Sequence, residues 1–150
     1  MNRAKCDLRP CHICHSAPYP DPLVDIDLDT LRTAISRSWW VDTTDCPDTW
    51  TPENPSMGQC AVTSLAVRDY LGGHVRLAWV FRDGVQVDMH CWNELDDGTF
   101  LDFTAEQFDY EYELGDPLDL QPIVNETGVD RHALLAGRVA AELELLASSL

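Results

Sequence analysis

The sequence predicts an α+β domain, because three segments carry apolar residues at helical spacing and the chain between the last two alternates as antiparallel strands do. Turns at Asp83-Gly84 and at Asp96-Asp97-Gly98 separate the runs predicted as strands, and Asp-Gly between such runs is a strong hairpin signal. The 150 residues are 45% hydrophobic and 24% charged, which suits one folded domain. We expect the order helix, helix, antiparallel hairpins, helix.

Residues 1–28 are predicted to form an irregular N-terminal arm, and residues 29–150 the folded domain. Four prolines interrupt the arm, at positions 10, 18, 20 and 22, and they disfavour regular structure there. Either Asp27 or Asp29 can cap the first helix. Its apolar face is predicted to hold Leu28, Leu31, Ile35 and Trp39.

The second predicted helix begins after a proline-bearing loop that runs from Val41 to Met57. Three Xaa-Pro pairs, at positions 46–47, 51–52 and 54–55, exclude a continuous helix in that loop. Gly58-Gln59-Cys60 leads into a helix over Ala61–Leu71, and Gly72-Gly73 ends it.

Three strands are predicted next, over Val75–Phe81, Val85–Leu95 and Thr99–Thr104. A turn at Asp97-Gly98 would place residue 93 opposite 102 and residue 95 opposite 100. The acidic run Asp109–Glu113 is interpreted as a solvated edge, and the alternative is that it repels anionic substrates or attracts a cationic one.

The final helix is predicted after Thr127-Gly-Val-Asp130, a segment that resembles a capping box. Its apolar face comprises Leu134, Leu135, Val139, Leu143 and Leu146.

The charge of the chain bounds its partners. The chain has 10 Lys and Arg residues and 26 Asp and Glu residues, which give a net charge of −16. This charge argues against a nucleic-acid partner and against binding to an anionic membrane surface. The first 20 residues hold three of the cations and one acid.

The N-terminus shows no secretory signal, and no apolar run is long enough to span a bilayer. We therefore expect a cytoplasmic protein whose six cysteines are metal ligands, nucleophiles or core residues before disulfides.

Cys60, His90 and Asp102 form the candidate catalytic set. Cys60 stands at a predicted helix start, where unpaired N–H groups and the helix dipole favour a thiolate and can bind a developing oxyanion. Across a short turn, with a small bulge or register offset, Asp102 can reach the imidazole of His90 and orient it. The alternative is that Cys60 is a buried core residue and His90 an ordinary strand residue.

Two sets of motifs resemble known families. His90-Cys-Trp92-Asn-Glu94 with Asp102-Phe-Thr104 resembles signatures of transglutaminase-like cysteine enzymes. Between Leu31 and Phe108 the chain also resembles the YunG-like bacterial family, through Trp50–Pro55, Gly58–Thr63, Gly72-Gly73, Leu101–Thr104 and Gln107-Phe108. The resemblance implies a papain-like or transglutaminase-like core, with the nucleophile helix packed on a small antiparallel sheet. It implies Cys60 as nucleophile, His90 as base and Asp102 as orienting group, and it supplies no substrate.

Four further residues are candidates around the thiol. Asn54 and Gln59 carry side-chain amides that could complete an oxyanion hole. The alternative for Asn54 is a turn, because Asn-Pro pairs are typical of turns. Trp50 and Trp92 could wall a substrate cleft, and aromatic packing in the core is the alternative for both.

The arm holds a second cluster, which reads C-x4-C-x2-C-H. Cys6, Cys11 and Cys14, with His12 or His15 as fourth ligand, could hold a structural zinc ion. Free thiols and disulfides are the other two interpretations. No cofactor is needed for cysteine-based catalysis itself.

Two functions follow from these patterns. The first is a cysteine-dependent amide or peptide hydrolase or acyltransferase, acting through a thioester on a small amide or short peptide. The second is a catalytically inactive papain-like binding module, with a zinc-stabilised arm and an acidic surface for a basic partner. The sequence leaves the oligomeric state open.

Overall fold

Residues 25–149 are described by the structure, a computed structural model. Within them lie helices α1 (Leu28–Ser38), α2 (Cys60–Leu71) and α3 (Arg131–Ser148). Strands β1 (His74–Arg82), β2 (Val85–Glu94), β3 (Phe100–Leu101) and β4 (Glu113–Leu114) form an antiparallel sheet in the order β3-β2-β1-β4. Helix α2 packs against β2, and α1 and α3 pack against each other and against α2. The predicted α+β class with a small antiparallel sheet is confirmed.

Helix α1 begins at the first of its two candidate caps. The Thr30 backbone N–H donates to Asp27 Oδ2 at 3.0 Å, which satisfies one of the orphan donors of the first turn. Leu31 and Ile35 are fully buried, whereas Leu28 is 44% exposed. Leu28 therefore lies off the buried face that the spacing predicted for it.

The hairpin of β1 and β2 matches its prediction. Asp83 and Gly84 both have positive φ, 53° and 80°, as a two-residue turn of type I′ requires. The register pairs Leu77 with Cys91 and Ala78 with His90. Cys91 consequently packs against the first turn of α2.

The third strand is shorter than predicted and shifted by one residue. Only Phe100–Leu101 pairs with β2, and Asn93 lies opposite Leu101 rather than residue 102. The chain leaves the sheet at Asp102, whose Oδ1 accepts from the Thr104 N–H at 3.2 Å. A single turn of 3₁₀ helix, Ala105–Gln107, follows. This early departure lets Asp102 turn towards His90.

The interpretation of Asp109–Glu113 as a solvated edge is confirmed: its three acidic residues are exposed, and its end belongs to the edge strand of the sheet. Glu113 and Leu114 form β4, which pairs with Phe81 and Val80 of β1. The run alternates: Glu111 and Glu113 are exposed, whereas the Tyr112 ring packs near His90. Backbone pairing needs no particular side chain, so an edge strand tolerates acidic residues on its outer face.

Helix α3 begins one residue after Asp130, which corrects the predicted capping box at Thr127. Asp130 Oδ1 accepts from the Ala133 N–H at 3.1 Å, the usual geometry of a side-chain cap. The buried Leu135 and Val139 join the core cluster that contains Leu31 and Ile35 of α1.

The buried Arg131 connects α3 to two neighbouring loops. Its guanidinium donates to the carbonyl oxygens of Thr43 at 3.1 Å and Ile123 at 3.4 Å. It also pairs with Glu126 at 2.7 Å. Arg131 thereby holds the loop before α2 and the segment around Ile123, both of which border the site described below.

Two of the sequence predictions concern metal binding and the state of the cysteines. Cys6, Cys11, Cys14, His12 and His15, the candidate zinc cluster, lie outside the described residues. Between residues 25 and 149 no three His, Cys, Asp or Glu side chains are grouped as a metal site would require. In the same part of the chain the three cysteines, Cys46, Cys60 and Cys91, are free thiols.

None of the helices described is long and apolar enough to cross a bilayer.

Candidate active site

Cys60 is the first residue of α2. The first N–H groups of a helix have no intrahelical acceptor and form the positive end of its dipole. The side chain is nearly buried but lines two cavities. Cys60 therefore combines an environment that stabilises negative charge with access for a small molecule.

Gly58 allows the loop to approach the start of α2 closely. Its φ is +69°, and a Cβ there would meet Thr44 Oγ1, Asp45 Oδ1 at 2.7 Å and the backbone nitrogen of Cys46 at 3.1 Å. The Asp45 N–H donates to the Gly58 carbonyl at 3.0 Å. Both the conformation and the lack of space require glycine.

Gly58→Ala is expected to lower the free energy of unfolding by about 2 kcal/mol or more, because the left-handed conformation and the clash act together. Gly137→Ala is the matched control: Gly137 lies inside α3, where an added Cβ would meet nothing within 4 Å. Replacing a helical glycine by alanine stabilises by about 0.5–1 kcal/mol. Urea unfolding of both variants measures the two opposite effects. Equal stability of Gly58→Ala and the wild type would contradict the requirement for glycine.

His90 and Asp102 form a buried pair. His90 Nε2 lies 2.7 Å from Asp102 Oδ2, and the two side chains are 0% and 6% exposed. Asp102 Oδ1 accepts from the Thr104 backbone N–H, which leaves Oδ2 for the imidazole. Asp102 thus orients the ring and stabilises its protonated form.

Gln107 holds the other side of the imidazole, a role that the sequence analysis missed. Its Nε2 lies 3.0 Å from His90 Nδ1, and its Oε1 accepts from the Gly58 N–H at 3.0 Å. Gln107 therefore bridges His90 and the loop that precedes Cys60. In the sequence, Gln107 stood out only as part of the Gln107-Phe108 motif. Its distance along the chain from His90 and Gly58 does not predict a contact with either.

The surroundings of Cys60 favour its thiolate. A hydrogen bond from the Cys91 side chain lowers the pKa of Cys60 most; burial opposes this, and the hydrogen bond and positive charge of His90 lower it further. The net pKa lies well below the usual thiol value. For His90, burial lowers the pKa, but the contacts with Asp102 and Cys60 outweigh burial and raise it to about 9. Both shifts act in the direction of a thiolate–imidazolium pair.

The other two described thiols are held in the neutral form. Burial and a hydrogen bond to Asp45 raise the pKa of Cys46 to about 12, and its Sγ lies 3.0 Å from Asp45 Oδ1. The hydrogen bond to Cys60, burial and the charge on Cys60 raise the pKa of Cys91 far above the ordinary range. Within residues 25–149, Cys60 is consequently the one cysteine whose surroundings favour the thiolate.

Aromatic rings enclose the imidazole. Trp92 stacks on His90 with ring centroids 6.3 Å apart, and Phe108 meets it edge-on at 5.1 Å. Trp92 and Phe108 limit water around the His90–Asp102 pair, which strengthens its electrostatics.

The four residues predicted around the thiol occupy different positions. Asn54 lines one cavity together with Cys60. Both polar atoms of the Gln59 amide are bound elsewhere, Oε1 by the Thr43 hydroxyl at 2.8 Å and Nε2 to the Trp40 carbonyl at 3.0 Å. Neither Trp50 nor Trp92 lines the two cavities that Cys60 borders. Trp50 instead donates from Nε1 to the Pro55 carbonyl at 2.9 Å.

The two cavities beside Cys60 differ in chemistry. One, of about 310 Å³, is mainly apolar and is bordered by Cys91, Leu77, Met89, Pro122 and Ile123 among others. The second, of about 180 Å³, contains three carboxylates, from Asp45, Asp88 and Asp109, and also Asn54 and Gln107. Cys60 lies where an apolar and an acidic compartment meet.

Comparison with known proteins places the chain in a family. The model of the YunG protein family matches residues 27–144. The uncharacterized protein YunG of Bacillus subtilis (strain 168) is 33% identical over 81 residues, which are 54% of this chain and 63% of that protein. The chain thus spans less than two thirds of the length of this relative. No solved structure matches the chain significantly. Because the family model covers well over half of its residues, the chain belongs to the YunG family.

Proposed function

We propose that this protein is a cysteine-dependent hydrolase or acyltransferase that acts through a thioester on Cys60. The observation that carries the proposal is the arrangement of three residues: Cys60 at the start of α2, His90, whose hydrogen bond and charge lower the pKa of Cys60, and Asp102, bound to His90 Nε2 at 2.7 Å. A nucleophile, a base and an orienting carboxylate in that relation are the components of cysteine-based acyl transfer. The order of Cys60 at a helix start, His90 on β2 and Asp102 directly after β3 supports a papain-like or transglutaminase-like core.

The first half-reaction forms the acyl-enzyme. The Cys60 thiolate attacks the carbonyl carbon, and the negative oxygen that results is stabilised by N–H donors at the start of α2 and by the Asn54 amide. The imidazolium of His90 donates its proton to the leaving nitrogen or oxygen as that bond breaks. Because Nε2 is bound to Asp102, Nδ1 is the nitrogen that exchanges this proton.

The second half-reaction releases the acyl group. Neutral His90 accepts a proton from water or an amine, which attacks the thioester and restores the thiolate and the imidazolium. Gln107 responds to each change, because its N–H can bind Nδ1 only while that nitrogen is unprotonated. When Nδ1 carries a proton, the amide must turn its oxygen to the ring or release it.

The cavities suggest a small substrate. A volume of about 310 Å³ is at the lower end for ligand pockets, so the apolar cavity suits a short acyl group. The three carboxylates in the other cavity disfavour an anionic leaving group and favour a cationic one. A small amide or a short peptide end with a short acyl group and a positively charged leaving group suits both cavities.

Intact mass spectrometry of the reduced, full-length protein, followed by tryptic peptide mapping, tests the proposal. The panel comprises nitrophenyl esters of short acyl groups and matching amides with cationic, neutral or anionic leaving groups. We expect an acyl adduct on the tryptic peptide of residues 38–68, which contains Cys60 and Cys46. Cys46→Ser should retain the adduct, and Cys60→Ser should lose it.

The outcome that contradicts the proposal is an unacylated wild type whose Cys60 is nevertheless alkylated by iodoacetamide. Equal adducts in Cys60→Ser and the wild type would contradict it as well. The alternative of an inactive binding module would then account better for the site.

A further inference from the structure

A second thiol lies beside the candidate nucleophile and has no part in acyl transfer. Cys91, on β2, packs with Cys60 and Leu65 of α2 in one buried cluster, and its thiol is the first of the groups that lower the pKa of Cys60. Both cysteines border the same cavity of about 310 Å³. The two sulfur atoms are therefore neighbours that a small molecule can reach.

We propose that Cys60 is a site of oxidation by hydroperoxides and that Cys91 is its resolving cysteine, so that the two close a reversible disulfide. The proposal needs a reactive Cys60 but no acyl transfer, so it stands or falls separately from the proposed function. Oxidation-sensing cysteines combine thiolate character and access with a second thiol near by. Cys60 and Cys91 meet these conditions through positions that the fold sets.

The first step consumes the hydroperoxide. The Cys60 thiolate attacks the outer peroxide oxygen, the S–O bond forms and the O–O bond breaks. The oxygen that leaves takes the proton of the His90 imidazolium and departs as an alcohol, or as water if the oxidant is hydrogen peroxide. Cys60 is then a sulfenic acid.

The second step forms the disulfide. The Cys91 sulfur attacks the Cys60 sulfur, the S–S bond forms, the S–O bond breaks, and the hydroxide leaves with the Cys91 proton as water. Together the two thiols lose two electrons, which the peroxide accepts. Cys91 is protonated at rest partly because of the negative charge on Cys60. A neutral sulfenic acid removes that charge, so Cys91 ionises more readily once Cys60 is oxidised.

Cys46 is a poor substitute for Cys91. It borders the acidic cavity rather than the apolar one, and its thiol is engaged with Asp45. The same two facts make it the matched control for an experiment on cysteine pairing.

Peptide mapping after oxidation tests the proposal on the full chain. The reduced protein is treated with hydrogen peroxide, quenched by alkylation and digested with trypsin without a reductant. We expect residues 38–68 linked to residues 83–131, which carry Cys91, and loss of the link on reduction. Cys46→Ser should keep the link. Cys91→Ser should abolish it while retaining a hydroxyl donor to the Cys60 thiolate, so that dimedone labels the sulfenic acid on Cys60.

Three results would overturn the proposal. One is over-oxidation of Cys60 in the wild type with no linked peptide. Another is loss of the link in Cys46→Ser, which would assign the bond to Cys46. The third is an unlabelled Cys60 in Cys91→Ser, shown to be folded by circular dichroism, which would mean that peroxide does not oxidise Cys60.

Discussion

Replacing His90 by Asn is expected to slow the alkylation of Cys60 by iodoacetamide at about pH 7 by a factor of ten or more. The imidazolium contributes a hydrogen bond and a positive charge to the Cys60 thiolate. Without it only the contacts with Cys91 are left to oppose burial, so the pKa of Cys60 rises towards the ordinary value of about 8.5, at which only about 3% of a thiol is ionised at neutral pH. The rate is followed as carbamidomethylation of the tryptic peptide of residues 38–68, against pH.

His74→Asn provides the control, because His74 is an exposed histidine at the start of β1. It should leave the alkylation rate unchanged. In the wild type the rate should stay level well below pH 8.5, since the thiolate persists there. A wild-type profile that follows an ordinary thiol, or an unchanged rate in His90→Asn, would refute the ion pair.

Replacing Asp102 by Asn is expected to lower the pKa of His90 from about 9 to the ordinary value of about 6.5 or below. Burial by itself lowers the pKa of His90, and the carboxylate of Asp102 is the first of the groups that raise it. The protonated imidazole persists below its pKa and is lost as the pH rises through it. The variant therefore loses its imidazolium above about pH 6.5, where the wild type keeps it up to about 9.

NMR titration of the His90 ring measures this shift whether or not a substrate is known. With an ester that acylates Cys60, turnover at about pH 8 should fall by about a hundredfold, the size of a lost general acid. Asp29→Asn changes the net charge equally at an exposed position in the first turn of α1 and should move neither quantity. An unshifted His90 in Asp102→Asn would show that the 2.7 Å contact does not set its protonation.

Local patterns were sufficient for the principal elements of the fold. Gly58 before Cys60, and Gly72 after Leu71, bracket a helix because glycine conformations and helix ends follow from neighbouring residues. Asp83-Gly84 predicted the hairpin for the same reason. These signals act within a few residues, so no tertiary information was needed.

Contacts between distant segments were less predictable. The departure of the chain at Asp102, and hence the reach of its carboxylate to His90, depends on a one-residue register that hairpin patterns do not resolve. Pairing of β4 with β1 depends on backbone hydrogen bonds, which leave little trace in side-chain identity. Gln107 is placed on the imidazole by the 3₁₀ turn that follows the shifted strand.

The sequence by itself identified the candidate nucleophile, its place at a helix start, and the His and Asp residues proposed to serve it. The tertiary structure decided which groups tune that nucleophile: Cys91 beside its sulfur, Gln107 on the base, and an apolar and an acidic cavity on either side. The physical reason is the separation along the chain between the residues that interact. Helix starts and turns depend on local backbone preferences, whereas thiol pKa and cavity chemistry depend on side chains brought together from separate elements.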